Sequence, residues 1–297
     1  MRVPRLGRLS PAIGRPASPI VRAVVADTSF ELVPLKSLEA QLPHVPRGSR
    51  VSVTCSPAKG IGATLDLAAR LKGEGLVPTP HVAARLVRDR SHVRDIAARV
   101  AEIGLDELFL IAGDEETPAG DYHDGAAVLE HLLEEPHGLR RIGIPAYPDG
   151  HLFIAREALH HALHHKQHML AEAGVDGWVS TQMCFDAATI AAWLSPERRA
   201  GLSLPVRLGI PGPIDRTKLL TMGMRVGVGQ SLRYLQKNRS GLTKLVTGAA
   251  YDPTRLLMQL ADQLGPLHVT GLHLFTFNQL QASVAWRQSV LGTSPHG

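Results

Sequence analysis

Three polar side chains, Glu31, Asp114 and Gln182, each stand at the end of a short apolar run of the sequence. Glu31 lies between apolar neighbours, which favour the protonated carboxyl group that a general acid needs. Asp114 follows Gly113, where the backbone can approach a ligand closely, and Gln182 offers a donor together with an acceptor. The alternative to a functional role is a structural one for each of them, as a helix or strand cap, a salt bridge or a hydrogen bond between two loops.

Histidines supply a second set of candidates. His81 follows two prolines and could hydrogen-bond a flat ligand, although a single histidine is more often structural. Further along, a helical spacing places His160, His164 and His168 on one face. Because no carboxylate is interleaved at ligand spacing and no HExxH motif is present, the sequence predicts no metal site.

The elements that position these residues follow from hydrophobic patterning. Short apolar or β-branched runs alternate eight times with stretches of helical period, an order typical of a parallel sheet with crossover helices. Eight strands of this kind can close into a barrel. The predicted strands are 24–31, 50–54, 77–81, 107–112, 141–147, 177–182, 206–210 and 269–275.

Helical stretches separate the predicted strands, and Ser91 and Asp124 are predicted N-caps. The interval 215–248 is longer than one crossover needs, which indicates an insertion. No repeat of twenty to fifty residues is visible, which argues against a solenoid. The sequence therefore predicts a single (βα)8 TIM barrel over residues 21–297. Its predicted helices are 64–71, 91–103, 124–133, 155–173, 253–264 and 278–291.

Composition sets the broad class. The 297 residues are 44% hydrophobic and 20% charged, the balance of a soluble globular protein, and no uncharged apolar run approaches the ~20 residues that span a bilayer. Four arginines in the first twenty residues account for most of the net charge of +5, so nucleic-acid binding is not expected. We expect residues 1–20 to form a flexible basic tail. The two widely spaced cysteines favour a cytoplasmic protein.

A (βα)8 barrel carries its chemistry at the carboxyl ends of its strands, where the polar residues of this chain also stand. The segments at these ends resemble the methylenetetrahydrofolate reductase family, and they occur in the family's order across most of the chain. Each segment is short, but their joint order and spacing are specific. They are SFE at 29–31, VSVT at 51–54, PH at 80–81, AGD at 112–114, AYPDGH at 146–151, STQ at 180–182, FD at 185–186, GI at 209–210 and HLFTFN at 273–278.

The resemblance implies a barrel that binds FAD, in which NADH or NADPH reduces the flavin and methylenetetrahydrofolate then takes the hydride to become methyltetrahydrofolate. It implies that Glu31 is the general acid, protonating the folate nitrogen that leaves as the bridging methylene opens to an iminium. Asp114, the second expected catalytic residue, would hydrogen-bond the pterin and influence the flavin, while Gln182 and Phe275 would bind the folate. The positions that fall on the family's flavin lining are Thr54, His81, Gly113, Tyr147 and His151.

The chain departs from the family where the family carries cations: at Ala112, at Gln279 and along the histidine-rich helix. Two interpretations stay open, namely a flavoenzyme with other phosphate contacts and a flavin-free reductase that passes hydride directly from NADH to the iminium. A third interpretation, from another class, is a non-catalytic folate- or nucleotide-binding barrel. The sequence leaves the choice between NADH and NADPH and the oligomeric state open.

Overall fold

The computed structural model describes residues 17–214, 219 and 251–293. Eight parallel strands pair in chain order, and the last strand pairs with the first to close the sheet. The predicted (βα)8 barrel is therefore confirmed. The strands are β1 (Thr28–Leu32), β2 (Arg50–Val53), β3 (Val77–Ala83), β4 (Glu107–Ile111), β5 (Arg141–Ala146), β6 (Asp176–Thr181), β7 (Val206–Pro211) and β8 (Val269–Phe275).

Helices surround this sheet. Within the described ranges, every helix is too short or too polar to cross a bilayer. The predicted insertion at 215–248, apart from Leu219, and residues 1–16 of the predicted tail lie outside the described residues. The helices are α1 (Pro19–Ala26), α2 (Gly60–Gly73), α3 (Arg90–Ile103), α4 (Gly125–Leu133), α5 (Arg156–Glu172), α6 (Ala187–Arg199), α7 (Thr254–Leu264) and α8 (Leu280–Leu291), with short 3-10 turns at Leu42–His44 and Ala84–Leu86.

The first predicted strand is wrong at its beginning, because residues 24–26 belong to α1. Pro19 at the start of this helix fixes a helical φ and needs no hydrogen-bond partner for its nitrogen. Val21, Val24 and Val25 are all buried, and their spacing of three and four residues is the helical period. Strand β1 therefore begins only at Thr28, after the helix has ended.

The two predicted N-caps have different outcomes. Asp124 does cap α4, accepting hydrogen bonds from two backbone N–H groups of the first turn at 2.8 and 3.1 Å. Ser91 is not the cap of α3, because Asp89 accepts from the His92 backbone N–H at 2.9 Å and the Ser91 hydroxyl donates to the same carboxylate at 2.7 Å. A carboxylate is as good an N-cap acceptor as a hydroxyl, and Asp89 lies at the position from which it can reach the first turn.

The strands of the barrel have an aliphatic outer face and a polar inner face. Alternate residues such as Val51 and Val53 pack in the core beneath the helices. The others meet across the lumen. The ring of His81 on β3 lies 5.8 Å from that of His273 on β8, and these strands are not neighbours in the sheet. The inside of the barrel is therefore filled by polar and aromatic side chains rather than by aliphatic ones.

A cluster of charges closes the amino-terminal end of the barrel. Glu107 is buried, lies 2.8 Å from Arg50 and 3.2 Å from Arg207, and also contacts Arg141. Burial raises the pKa of Glu107, but the three guanidinium groups outweigh this effect and lower the pKa to about 2. The Arg207 guanidinium lies 4.9 Å from the centre of the Trp178 ring. This network joins β2, β4, β5 and β7 from within.

Candidate functional site

Glu31 and His273 form a buried pair at the opposite, carboxyl end of the strands. Glu31 is only 7% exposed, and its Oε2 atom lies 3.0 Å from Nε2 of His273. Adjacent strands β1 and β8 carry the two residues. The pair can share a proton, and the imidazole can hydrogen-bond the carboxylate that forms when Glu31 gives its proton away.

The loop after β8 holds the end of β1 in place. Thr276 donates a hydrogen bond to the Glu31 backbone carbonyl. The Asn278 side chain accepts from the Val33 backbone N–H at 3.0 Å and donates to the Val33 carbonyl at 2.8 Å. Phe277 and Asn278 both have a left-handed backbone, at φ 49° and 56°. Such a conformation persists where surrounding contacts determine it, and these bonds fix where Glu31 lies.

His81 completes a group of three with Glu31 and His273. Its Nε2 atom lies 2.5 Å from the Ser52 hydroxyl, and burial, followed by the proximity of His273, lowers the pKa of His81 well below its ordinary value. His81 is therefore a neutral imidazole at physiological pH. One ligand atom of each of the three residues lies within 4.8 Å of the others. Glu31 and His273 hydrogen-bond each other and His81 hydrogen-bonds Ser52, which suits proton transfer.

Aromatic rings form the wall around this group. Phe109 packs edge-on against His81 with ring centres 4.8 Å apart, and Phe275 lies 4.9 Å from His273. Flat apolar walls with a few polar anchors are typical of sites that bind planar rings. Phe275, predicted to bind substrate, thus stands directly beside the acid pair.

Four of the other predicted residues lie together above β4 and β5. Gly113 has φ +93°, and an added Cβ atom would lie 3.0 Å from that of Ala83, so glycine suits this position. Burial raises the pKa of Tyr147 to about 12, and the negative charge of Asp114 acts in the same direction. The exposed ring of His151 lies 5.3 Å from that of Tyr147.

Gln182 and Thr54 lie just beyond the ends of β6 and β2. The Gln182 backbone N–H donates to the Ala146 carbonyl at 2.7 Å, and its side-chain oxygen accepts from the Met183 N–H at 2.8 Å. A ligand would therefore meet the donor end of this amide. Thr54 is half-buried, with its hydroxyl 3.3 Å from the Leu32 carbonyl at the end of β1.

A second apolar cluster begins at Met183, next to Gln182, and includes Phe275. It extends the aromatic wall from β8 towards β6, and the rings of Phe185 and Tyr251 within it are 6.2 Å apart. Its buried members are Met183, Phe185, Ile214 and Leu219, with Tyr251, Phe275 and Phe277 packed against them.

The described residues at Ala112, beside it and along α5 offer few contacts to the two phosphates of FAD. Ala112 carries no charge, and the guanidinium of Arg85 donates to two backbone carbonyls of the following loop at 2.5 and 2.6 Å. Lys166 on α5 is 7% exposed, and burial lowers its pKa to about 8. Arg156 remains exposed at the start of α5. A dinucleotide that stays bound would need more phosphate contacts than these residues offer.

His273 and Ser52 are the site residues to which the sequence assigns no role. Both occur in segments that resemble the reductase family, but a histidine or serine inside a strand is ordinarily structural. The signal that indicates them is alternation, since Ser52 and His273 occupy the polar inner positions of strands whose other positions are aliphatic. This signal can be interpreted only once the sheet is known to be a closed barrel.

No protein-family profile matches the chain. Among solved structures, a protein from Clostridium thermocellum described as binding two copies of 5-methyl-5,6,7,8-tetrahydrofolic acid is similar with a TM-score of 0.63 and 12% identity, covering 92% of this chain and 98% of that one. Dihydropteroate synthase from Thermus thermophilus is similar with a TM-score of 0.46 and 12% identity, covering 88% of this chain and 91% of that one. At 12% identity, the likeness to the C. thermocellum protein shows the barrel fold.

Proposed function

We propose that the protein reduces methylenetetrahydrofolate to methyltetrahydrofolate with a hydride from NADH or NADPH. The observation that carries the proposal is the buried hydrogen-bonded pair of Glu31 and His273 at the carboxyl end of the barrel, where a general acid is needed. The resemblance of the strand-end segments to the reductase family supports it. The C. thermocellum protein with the same fold is described as binding 5-methyl-5,6,7,8-tetrahydrofolic acid, which is the product of this reaction.

Glu31 donates one proton to the folate nitrogen as the bond from that nitrogen to the bridging methylene breaks. The remaining nitrogen and the methylene form an electrophilic iminium, which accepts one hydride at carbon and becomes the methyl group. The reaction thus consumes one proton and one NAD(P)H. His273 hydrogen-bonds the resulting carboxylate, and a positioned acid of this kind contributes about 100-fold or more to a rate.

Asp114 and Gln182 would orient the pterin while Phe275 packs against it. A carboxylate and an amide donor suit the alternating donors and acceptors of a pterin edge. The aromatic wall of Phe109 and Phe275 beside His273 supplies a flat surface for the ring. In the proposed complex the reacting methylene would lie within reach of Glu31 from the open end of the barrel.

The flavin-free route is the one that the described residues favour, although FAD binding stays a prediction of the resemblance. A resident cofactor must remain bound through purification. A co-substrate is released in every turnover and needs only a KM of about 1 μM to 1 mM. Fewer phosphate contacts are enough for binding of that strength. Direct transfer from nicotinamide to the iminium also needs no additional redox group.

Isotope transfer tests both the reaction and the route. Tag-free protein is incubated with methylenetetrahydrofolate and NADH or NADPH deuterated at the transferring position of the nicotinamide. We expect a colourless protein and methyltetrahydrofolate that retains the deuterium in its methyl group, measured by mass spectrometry. A flavin would instead give a yellow protein and lose deuterium to water through its exchangeable N–H.

Replacing the acid tests the role of Glu31. Glu31→Gln keeps the side-chain shape and removes the proton, so methylenetetrahydrofolate turnover should fall by about 100-fold or more. Glu116→Gln, at an exposed carboxylate in the loop after β4, is the matched control and should retain full turnover. Turnover of Glu31→Gln within a few-fold of the parent would remove Glu31 from the mechanism.

A second candidate function is a non-catalytic folate-binding barrel, favoured by the bound methyltetrahydrofolate of the C. thermocellum protein. It predicts tight binding of methyltetrahydrofolate with no consumption of NADH or NADPH. The isotope experiment and a binding titration on the same preparation separate the two functions.

A further inference from the structure

Two histidines of α5 converge on one carboxylate of α6, outside the barrel. Nδ1 of His160 lies 2.8 Å and Nε2 of His164 lies 2.9 Å from the same Oε2 atom of Glu197. The two imidazole rings are 4.4 Å apart. Glu197 is 8% exposed, so the shared carboxylate is buried between the helices. The helical spacing predicts the pair of histidines, but the carboxylate lies on another helix, 37 residues after His160 and 33 after His164.

We propose that His160, His164 and Glu197 form a binding site for a divalent transition metal, with zinc as the metal that best suits the ligands. Two histidines four residues apart on one helix are a recurrent half-site for zinc, and two histidines with one glutamate form a complete set of protein ligands for an open zinc site. This site is separate from the Glu31 group and does not depend on the proposed reaction.

The distances are compatible with a bound ion. Zinc binds histidine nitrogen and carboxylate oxygen at about 2.0–2.2 Å, so its tetrahedral ligands stand roughly 3.4 Å apart. The three ligand atoms of the cluster all lie within 4.8 Å of one another, and the two hydrogen-bonded pairs are closer than 3 Å. A shift of about half an ångström in each ring would therefore admit the metal. The ion would take the place of the protons in the two hydrogen bonds from His160 and His164 to Glu197.

The site borders a cleft that leaves room for a fourth ligand. His160 and Glu197 line a cleft of about 330 Å³ between α5 and α6, together with Trp193. The cleft continues to Tyr147 at the end of β5. Three protein ligands with an open fourth position bind water or an anionic oxygen from a ligand. The metal would join α5 to α6 and present one coordination position to the cleft.

The chain offers a matched control on the same helix. His168 also pairs with a carboxylate, at 3.2 Å from Glu172, but both side chains are about two-thirds exposed and belong to α5 alone. The pair of His168 and Glu172 is therefore not buried and does not join two helices, unlike the proposed site. His168→Ala removes a histidine from the same face of the helix without touching the cluster.

Metal titration tests the proposal. Tag-free, chelator-treated protein is titrated with ZnCl₂ against a competing chromophoric chelator, and with CoCl₂ to follow the visible bands of four-coordinate cobalt. We expect one tight site per chain in the parent and in His168→Ala. In His164→Ala and in Glu197→Gln the affinity for zinc should fall by at least about 10-fold, because even mutation of a residue that only hydrogen-bonds a metal ligand causes such a loss. The cobalt bands should disappear in both variants.

Folding is checked in the same samples by circular dichroism, and thermal unfolding gives an independent measure. Zinc should raise the melting temperature of the parent and of His168→Ala, because it binds only the folded chain, and should leave that of Glu197→Gln unchanged. Equal zinc affinity in all four proteins, or a parent that binds zinc no more tightly than Glu197→Gln, would overturn the proposal.

Discussion

Lys166 is a buried ammonium group on the inner side of α5. Its side chain is 7% exposed, burial lowers its pKa from the usual 10.5 to about 8, and the charge of Asp124 offsets only part of this effect. At neutral pH the folded protein must keep this charge away from water. Each pKa unit corresponds to about 1.4 kcal/mol, so the cost is roughly 3 kcal/mol.

Replacing this charge should stabilise the protein. Lys166→Met keeps the length of the side chain, and we expect the free energy of unfolding at pH 7 to rise by about 1–3 kcal/mol. Between the folded pKa of about 8 and the unfolded value of 10.5 the unfolded chain binds more protons, so the parent gains stability as the pH rises through this window. The variant should lack that gain, measured by urea unfolding at pH 7 and pH 10.

The exposed Lys36 provides the control for this experiment, since Lys36→Met should change the stability little at either pH. A Lys166→Met protein that is less stable than the parent at both pH values would contradict the prediction. The ammonium group would then have stabilising partners that its lowered pKa does not reflect.

At the scale of single residues, the sequence indicates the acid better than its surroundings. Glu31 and His81 are found by their positions at strand ends and Phe275 by the family resemblance, and the structure places all three around His273. The His273 contact cannot be predicted in the same way, because residues 242 positions apart meet only when β8 closes against β1. Closure is a property of the whole sheet, and no local pattern encodes it.

At the scale of elements, the strands depend on the charge network inside the amino-terminal end of the barrel. Glu107 is the shared partner of arginines on β2, β5 and β7, and Thr79 on β3 donates to it at 3.2 Å. Without Glu107, Arg50 and Arg207 would keep only Asp27 as an acidic partner among the described residues, at 3.0 and 3.7 Å. Loss of one member of a buried ionic group typically costs about 3–5 kcal/mol.

Glu107→Gln should therefore lower the free energy of unfolding by about 3–5 kcal/mol at pH 7. The pKa of Glu107 is about 2 in the folded chain against an ordinary 4.5, so its contribution is present above pH 4.5 and is lost as the pH falls towards 2. The difference between parent and variant should shrink over that interval, measured by urea unfolding at pH 7, 4.5 and 3. Glu130→Gln, on the exposed face of α4, is the control. A difference below about 1 kcal/mol at pH 7 would contradict the role of the network.

Elements are easier to predict from the sequence than their boundaries. Seven of the eight predicted strands begin within a residue of the observed strand, because turn residues delimit each apolar run. The exception, β1, follows α1 so closely that the valines at the end of the helix and the apolar residues of the strand read as one run. Helix α6 is absent from the predicted helices, and its Pro196 interrupts the helical pattern. That omission also hides Glu197, the carboxylate that faces the histidines of α5.

At the scale of the whole molecule, a ligand that binds the closed barrel should stabilise the entire chain. Methyltetrahydrofolate at 100 times its Kd would add about 2.7 kcal/mol to the free energy of unfolding. For a chain of this size each kcal/mol raises the Tm by about 2–4 °C, so we expect a rise of roughly 5–10 °C in calorimetry. Glu31→Gln should keep this rise, because it removes a proton and keeps the shape of the side chain.

Gln182→Leu separates binding from general stabilisation in the same measurement. It removes the amide donor that faces the pterin in the proposed complex, and the loss of one such hydrogen bond weakens binding by about 1–1.5 kcal/mol, or roughly 10-fold in Kd. The rise in Tm at a fixed folate concentration should therefore be smaller than in the parent. If millimolar methyltetrahydrofolate leaves the Tm of the parent unchanged, neither the reductase nor the folate-binding function can be correct, since both require the folded barrel to bind this molecule.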